Sequence, residues 1–147
     1  MRRTHHPPIT WKQVFVVGAP RSGTTVLHAL VCSAPEVNDY VAECTYFTQL
    51  LQPILHVRYH FDIHGKSYFS DRKELFHYHS GLLASVLSDT WDHLGRPSVL
   101  ALKDPMLTPH LPLLAALVPE ARFIVSVRDP REVVASRLAV AARKGLD

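Results

Sequence analysis

The sequence predicts an α/β fold in which helices pack on a central parallel sheet. Two observations carry that prediction. Short continuous apolar runs rich in β-branched residues, at 14–17, 99–102 and 123–127, have the composition of strands buried on both faces. Segments with helical apolar spacing alternate with them, and strand–helix alternation means a parallel sheet.

The elements follow in order. Residues 1–12 are expected to form a flexible polar arm, extended at Pro7-Pro8, ahead of a domain over 13–147. The first strand, 14–17, ends at Gly18. Leu27, Leu30 and Val31 give residues 24–33 a helical face, closed by Pro35. Residues 37–41 read as a short second strand. Residues 42–69, aromatic and histidine-rich, resist assignment. Asp71 with Glu74 three positions on marks a helix start. Leu75, Leu82, Leu83, Val86, Leu87, Trp91 and Leu94 form its broad apolar stripe, and Gly95 and Pro97 stop it. A helix over 107–118 follows the strand at 99–102. After the strand at 123–127, Asp129 reads as an N-cap, Pro130 as the first helical residue and Glu132 as the residue that reaches back. Val134, Leu138 and Ala141 should be its inner face.

Composition bounds the function. The 147 residues are 47% hydrophobic and 20% charged, which excludes disorder for the bulk of the chain. Sixteen Lys and Arg against thirteen Asp and Glu leave +3, enough to favour an anionic ligand but too dispersed to imply nucleic acid. Two cysteines, Cys32 and Cys44, make neither a disulfide framework nor a zinc site, and a cytoplasmic chain is the simpler expectation. No apolar run approaches the roughly 20 residues of a membrane span, and the first residues lack the apolar core of a signal peptide.

In a parallel sheet, ligands bind beyond the carboxyl ends of the strands, here just after Val17, Leu102 and Val127. The first of these places holds Gly18-Ala19-Pro20-Arg21-Ser22-Gly23-Thr24-Thr25. A strand, a glycine-bearing turn and a helix start make a phosphate cradle. Inward N–H groups and the helix dipole favour an anion there by about 0.3–1 kcal/mol, more when partly buried. The spacing is that of a P-loop in a three-layer α/β fold, with one departure: Thr24 stands where an ATP-hydrolysing loop has lysine. Arg21 is the loop's own cation, suited to a bidentate anion contact.

The segment VFVVGAPRSGTTVLHALVCSAPEV resembles the 5′-phosphosulfate loop of sulfotransferases that use 3′-phosphoadenosine 5′-phosphosulfate (PAPS), closest to their bacterial and tyrosylprotein branch. Two further motifs carry the resemblance, which runs from Val14 to Lys144 and is weak between 48 and 95. One is Leu102-Lys103-Asp104-Pro105. The other runs from Phe123 through Arg128 to Ser136. Arg128 ends a strand, and Ser136 lies about two helical turns beyond the cap Asp129, so the two return to one face. The resemblance implies a PAPS-binding domain, incomplete at its C-terminal side because such domains are on the order of twice this length.

It implies these roles. Gly18, Pro20, Arg21, Ser22, Gly23, Thr24 and Thr25 hold the 5′-phosphosulfate, and Arg128 and Ser136 hold the 3′-phosphate. Arg21 and Lys103 are the catalytic cations, and Glu43 takes the acceptor proton. Glu36, Asp39 and Asp104 are rival bases. The acceptor carries a hydroxyl: a sugar, a phenol, a tyrosine or a lipid. By analogy with phosphoryl transfer, an in-line displacement from a phosphate leaving group needs no metal. A P-loop kinase or NTPase and a non-catalytic nucleotide-binding remnant are the other readings of the same loop. His56, His60 and His64 are spaced by four, but no familiar ligand motif completes them. Gly65, β-branched neighbours and missing caps argue against a helix there.

Overall fold

The computed structural model describes residues 10–145. The expected arm at 1–12 lies mostly outside them. Its last residues are not an arm. Trp11 stacks on Trp91 with ring centroids 5.4 Å apart, and the Lys12 N–H bonds to the Ser98 carbonyl, so β1 (Lys12–Gly18) starts two residues earlier than the apolar run suggested.

The order after β1 is α1 (Thr24–Val31), α2 (Thr45–Tyr59), a π-turn (Phe61–Gly65) and α3 (Arg72–His93). Then come β2 (Val99–Lys103), a 3-10 turn (Pro105–His110), α4 (Leu111–Leu117), β3 (Arg122–Ser126) and α5 (Pro130–Lys144). Among the described residues the sheet is parallel, in the order β2-β1-β3. Val16 lies opposite Lys103 on one side and Ile124 on the other. Side chains alternate along β1. Phe15 and Val17 join Leu100 and Leu102 in a core with Leu51 and Ile54 of α2, Leu75, Leu83 and Leu87 of α3, and Leu114 and Leu117 of α4. The opposite face, with Val16, Ala101 and Lys103, is covered by α1, whose His28 is fully buried and 3.1 Å from the Ala101 carbonyl through Nε2. Burial pushes the His28 pKa down, so this imidazole stays neutral.

Several expectations are corrected. The strand at 37–41 is a single bridge between Val37 and Val99. It stops because the Asn38 side-chain amide takes the place of the next strand residue. Its Oδ1 accepts from the Ala101 N–H at 2.7 Å and its Nδ2 donates to the Ala101 carbonyl at 3.2 Å. The Val99 N–H bonds to the Glu36 carbonyl, the Asn38 N–H to the Val99 carbonyl and the Cys44 N–H to the Lys103 carbonyl. The outer edge of β2 is thereby sealed by a loop.

Residues 42–69 hold α2 and the π-turn. The former has no side-chain cap and contains Pro53, so its start and stop signals are missing from the sequence. Burial of Phe47, Leu51 and Ile54 holds it. The doubt about helix at 56–64 is half corrected: His56 lies on α2, His60 closes it and His64 lies in the π-turn. The helix expected over 107–118 is two elements, because Pro109 and Pro112 cannot donate to one continuous ladder. The start of α3 is as expected: Asp71 accepts from the Glu74 N–H at 2.7 Å.

The largest correction concerns α5. Its cap and first residue are Asp129 and Pro130, but Val134 is 55% exposed and Leu138 66%. The expected inner face looks outward, because among the described residues nothing packs on it. Glu132 does not reach back to the cap; it pairs with Arg128 at 2.7 Å. The far edge of β3 likewise has no strand beside it among the described residues.

Candidate nucleotide and transfer site

β1 delivers its loop with the backbone under constraint. Gly18 has φ +145°, Arg21 φ +75° and Gly23 φ +102°. Left-handed torsion at a non-glycine residue such as Arg21 costs on the order of 1–3 kcal/mol and concentrates at functional turns. Gly23 is the N-cap of α1 and offers no side chain, so no cap bond satisfies the first N–H groups of that helix. No acidic residue stands in its first turn. A positive helix end with free donors and a guanidinium beside it is built for an anion. The buried hydroxyl of Ser22 has no hydrogen-bond partner among the described residues.

Two contacts hold the loop from outside. Ser126 Oγ, at the end of β3, donates to the Ser22 carbonyl at 2.8 Å. The Gly18 N–H donates to Thr108 Oγ1 at 2.9 Å. Neither Ser126 nor Thr108 stands out in the sequence. Their bonds span 90 and 104 residues, and the one cue was Pro105, a residue without N–H just past a strand end.

The second motif comes to the same place. Arg21 Nε donates to Ser136 Oγ at 3.2 Å, and Arg128 Nη1 donates to the Arg21 carbonyl at 3.3 Å. Arg128 is also ion-paired with Glu132 at 2.7 Å. Arg21→Ala is expected to weaken binding of 3′,5′-ADP (PAP) at least about tenfold, the scale of one charged hydrogen bond. Calorimetry checks this, and unchanged affinity would remove Arg21 from the site.

Glu43 and Lys103 form the third part. Lys103 is 2% exposed, yet its Nζ reaches Glu43 Oε1 at 2.8 Å and Thr25 Oγ1 at 3.4 Å. The Cys44 N–H on the Lys103 carbonyl sets Glu43 beside the strand end. Glu43 keeps about half its side chain in solvent, 49%, so a molecule arriving at the loop can reach it. The neighbouring Cys44 thiol is pushed up to about 12 by burial, then by the Asp104 carboxylate; it stays protonated and is no nucleophile. Asp104 is buried and committed elsewhere. It accepts from Thr48 Oγ1 and caps the 3-10 turn through the Met106 N–H at 2.9 Å. Glu36 and Asp39 are exposed. Of the four carboxylates, Glu43 is the one found on Lys103.

The rings of His56, His60 and His64 gather, with centroids 5.1–5.8 Å apart. Among the described residues no group of His, Cys, Asp and Glu is arranged to hold a metal ion. No helix among them is long and apolar enough to cross a membrane.

Fold and loop together define an α/β protein of P-loop type. Its loop carries Thr24 where nucleotide hydrolases carry lysine, and its own cation is Arg21. A family model described as "Sulfotransferase family" matches residues 13–147, and the chain belongs to that family. It is 29% identical over 135 residues to protein-tyrosine sulfotransferase 1 of Danio rerio, covering 86% of this chain and 35% of that protein. It is 28% identical over 132 residues to protein-tyrosine sulfotransferase of Drosophila melanogaster, covering 84% and 24%. It is 29% identical over 125 residues to a putative protein-tyrosine sulfotransferase of Caenorhabditis briggsae, covering 85% and 42%. The chain thus spans between about a quarter and two fifths of the length of these curated relatives.

Proposed function

We infer that this chain binds PAPS and carries the donor side of a sulfuryl transfer to a hydroxyl acceptor. One observation supports the reading above the rest: the loop arginine, Arg128 and Ser136 gather on one side of the loop, and Thr25, Lys103 and Glu43 on the other. The unpartnered Ser22 hydroxyl and the uncapped start of α1 fit a bound phosphate. The Thr24 side chain is buried, 3% exposed, and supplies no long cation for a β/γ-phosphate, which weighs against an NTPase.

PAPS supplies an activated sulfuryl group on a phosphate leaving group. The chain's residues do the rest. Loop amides, Arg21 and Thr25 orient the 5′ end. Arg128 and Ser136 grip the 3′-phosphate. Lys103 and Arg21 offset charge on the oxygens of the transferring group, and Glu43 accepts the acceptor proton. The names of the relatives make a tyrosyl hydroxyl the first acceptor to try.

Calorimetric titration with PAP, AMP and ATP–Mg²⁺ tests this. PAP is expected to bind at least about tenfold tighter than AMP, the scale of a charge-assisted contact to the extra phosphate. Arg128→Ala is expected to erase most of that preference. Equal affinity of the wild type for PAP and AMP, or tightest binding of ATP–Mg²⁺, would overturn the reading.

A further inference from the structure

The parallel ladder between β1 and β2 ends early. Lys103 is opposite Val16, and no β2 residue follows it. Beyond it Pro105 has no N–H to give, and Met106 spends its N–H on Asp104 Oδ1 at 2.9 Å. Gly18, two residues past Val16, therefore has no strand partner on this side. A buried peptide left in that state costs free energy. The Thr108 hydroxyl occupies the gap. It accepts from the Gly18 N–H at 2.9 Å and stands 3.0 Å from the Gly18 carbonyl and 2.7 Å from the Pro105 carbonyl. Its single proton serves one of these carbonyls at a time.

Both ends of that junction bear on the site. Gly18 opens the phosphate loop. Its peptide is wedged against β3, where a Cβ would meet the Ser126 carbonyl oxygen at 2.4 Å. Pro105 lies two residues after Lys103. One hydroxyl thus fastens the loop carrying Arg21 and Thr25 to the segment carrying the buried lysine. We propose that Thr108 is a positioning residue for the donor nucleotide: it stands in for the missing strand partner of Gly18 and holds the phosphate loop in register with Lys103. The inference rests on the PAPS reading given above.

Thr108→Val keeps the shape and removes the hydroxyl, and Thr108→Ser keeps the hydroxyl. The full chain is titrated with PAP and with adenosine 3′-phosphate, which lacks the 5′ group, and each variant is melted. Thr108→Val is expected to lose about tenfold in PAP affinity, the scale of a lost hydrogen bond to a constrained group. Its affinity for adenosine 3′-phosphate is expected to stay unchanged. Thr108→Ser is expected to keep both within about threefold. A merely structural threonine would lower the melting temperature and affect both nucleotides alike. If the valine variant does not fold, Thr108→Ala, which leaves space for a water, carries the same comparison. A wild type that binds PAP beside a hydroxyl-free variant that binds it equally well overturns this proposal alone. A parallel loss for both nucleotides overturns it too. A wild type that does not bind PAP overturns the PAPS reading and the proposal with it.

Discussion

Glu43→Gln is expected to lower sulfuryl transfer by roughly 10²–10⁴, the usual contribution of a general base, while PAP affinity stays within about twofold. The substitution keeps size and leaves an oxygen that can still accept from Lys103. The lysine is therefore not left as an unpaired buried charge, which would confuse the result. What disappears is the capacity to take a proton. The measurement is turnover with PAPS and a tyrosyl peptide, alongside PAP titration of the same preparation. A glutamine variant with near-normal turnover would reduce Glu43 to an anchor for Lys103. A joint loss of turnover and PAP affinity would point to damage at the loop instead. Asp104 is a poor substitute in either case, because its oxygens are taken by Thr48 and the Met106 N–H.

Gly18→Ala is expected to abolish measurable PAP binding and to lower the melting temperature by several degrees. At φ +145° a side chain costs on the order of 1–3 kcal/mol in backbone strain. The added methyl would also lie 2.4 Å from the Ser126 carbonyl oxygen and 2.8 Å from Ser22 Oγ. Overpacking of that kind adds about 1–3 kcal/mol. Relief requires β1 and β3 to part at their ends, where Ser126 grips the loop. Gly95→Ala is the matched control. Gly95 has φ +82°, but nothing lies within 4 Å of its added methyl, and it sits after α3, away from the loop. It should lose some stability and no affinity. Thermal unfolding with calorimetry checks the pair. A Gly18→Ala protein that melts and binds like the wild type would show that the close approach at Gly18 is dispensable.

The strands were legible because β-branched runs such as Val16-Val17 have few other uses in a small domain. The phosphate loop was legible because its glycines mark torsions that other residues avoid. Arg21 was legible as the loop's own cation, Arg128 as an arginine at a strand end and Ser136 by its two-turn spacing from the cap, while Lys103 was marked by the resemblance. The structure joins Arg21 to Arg128 and Ser136, and Lys103 to Thr25 and Glu43. What stayed hidden has physical reasons. α2 has no cap and contains a proline, so only tertiary burial of Phe47 and Leu51 identifies it. The turn at 105–110 needed the geometry of two prolines. Thr108 and Ser126 act through hydroxyls on backbone groups far away in the chain, and such contacts leave no periodic trace. The misread face of α5 is a different case. Val134 and Leu138 have helical spacing, but spacing reports that a face is apolar and not that something covers it.

The loop along β2 gives the sheet a direction of growth. On that side Asn38 already mimics a strand, so the backbone there offers an incoming chain little to bind. On the β3 side no strand pairs with the edge among the described residues, and Val125, Val134 and Leu138 are exposed apolar side chains there. Among the described residues, β3 offers the edge on which a further strand can pair. A charge or proline placed on the outer edge of β3 would therefore block such an extension, whereas the same change along β2 would first have to dislodge an asparagine.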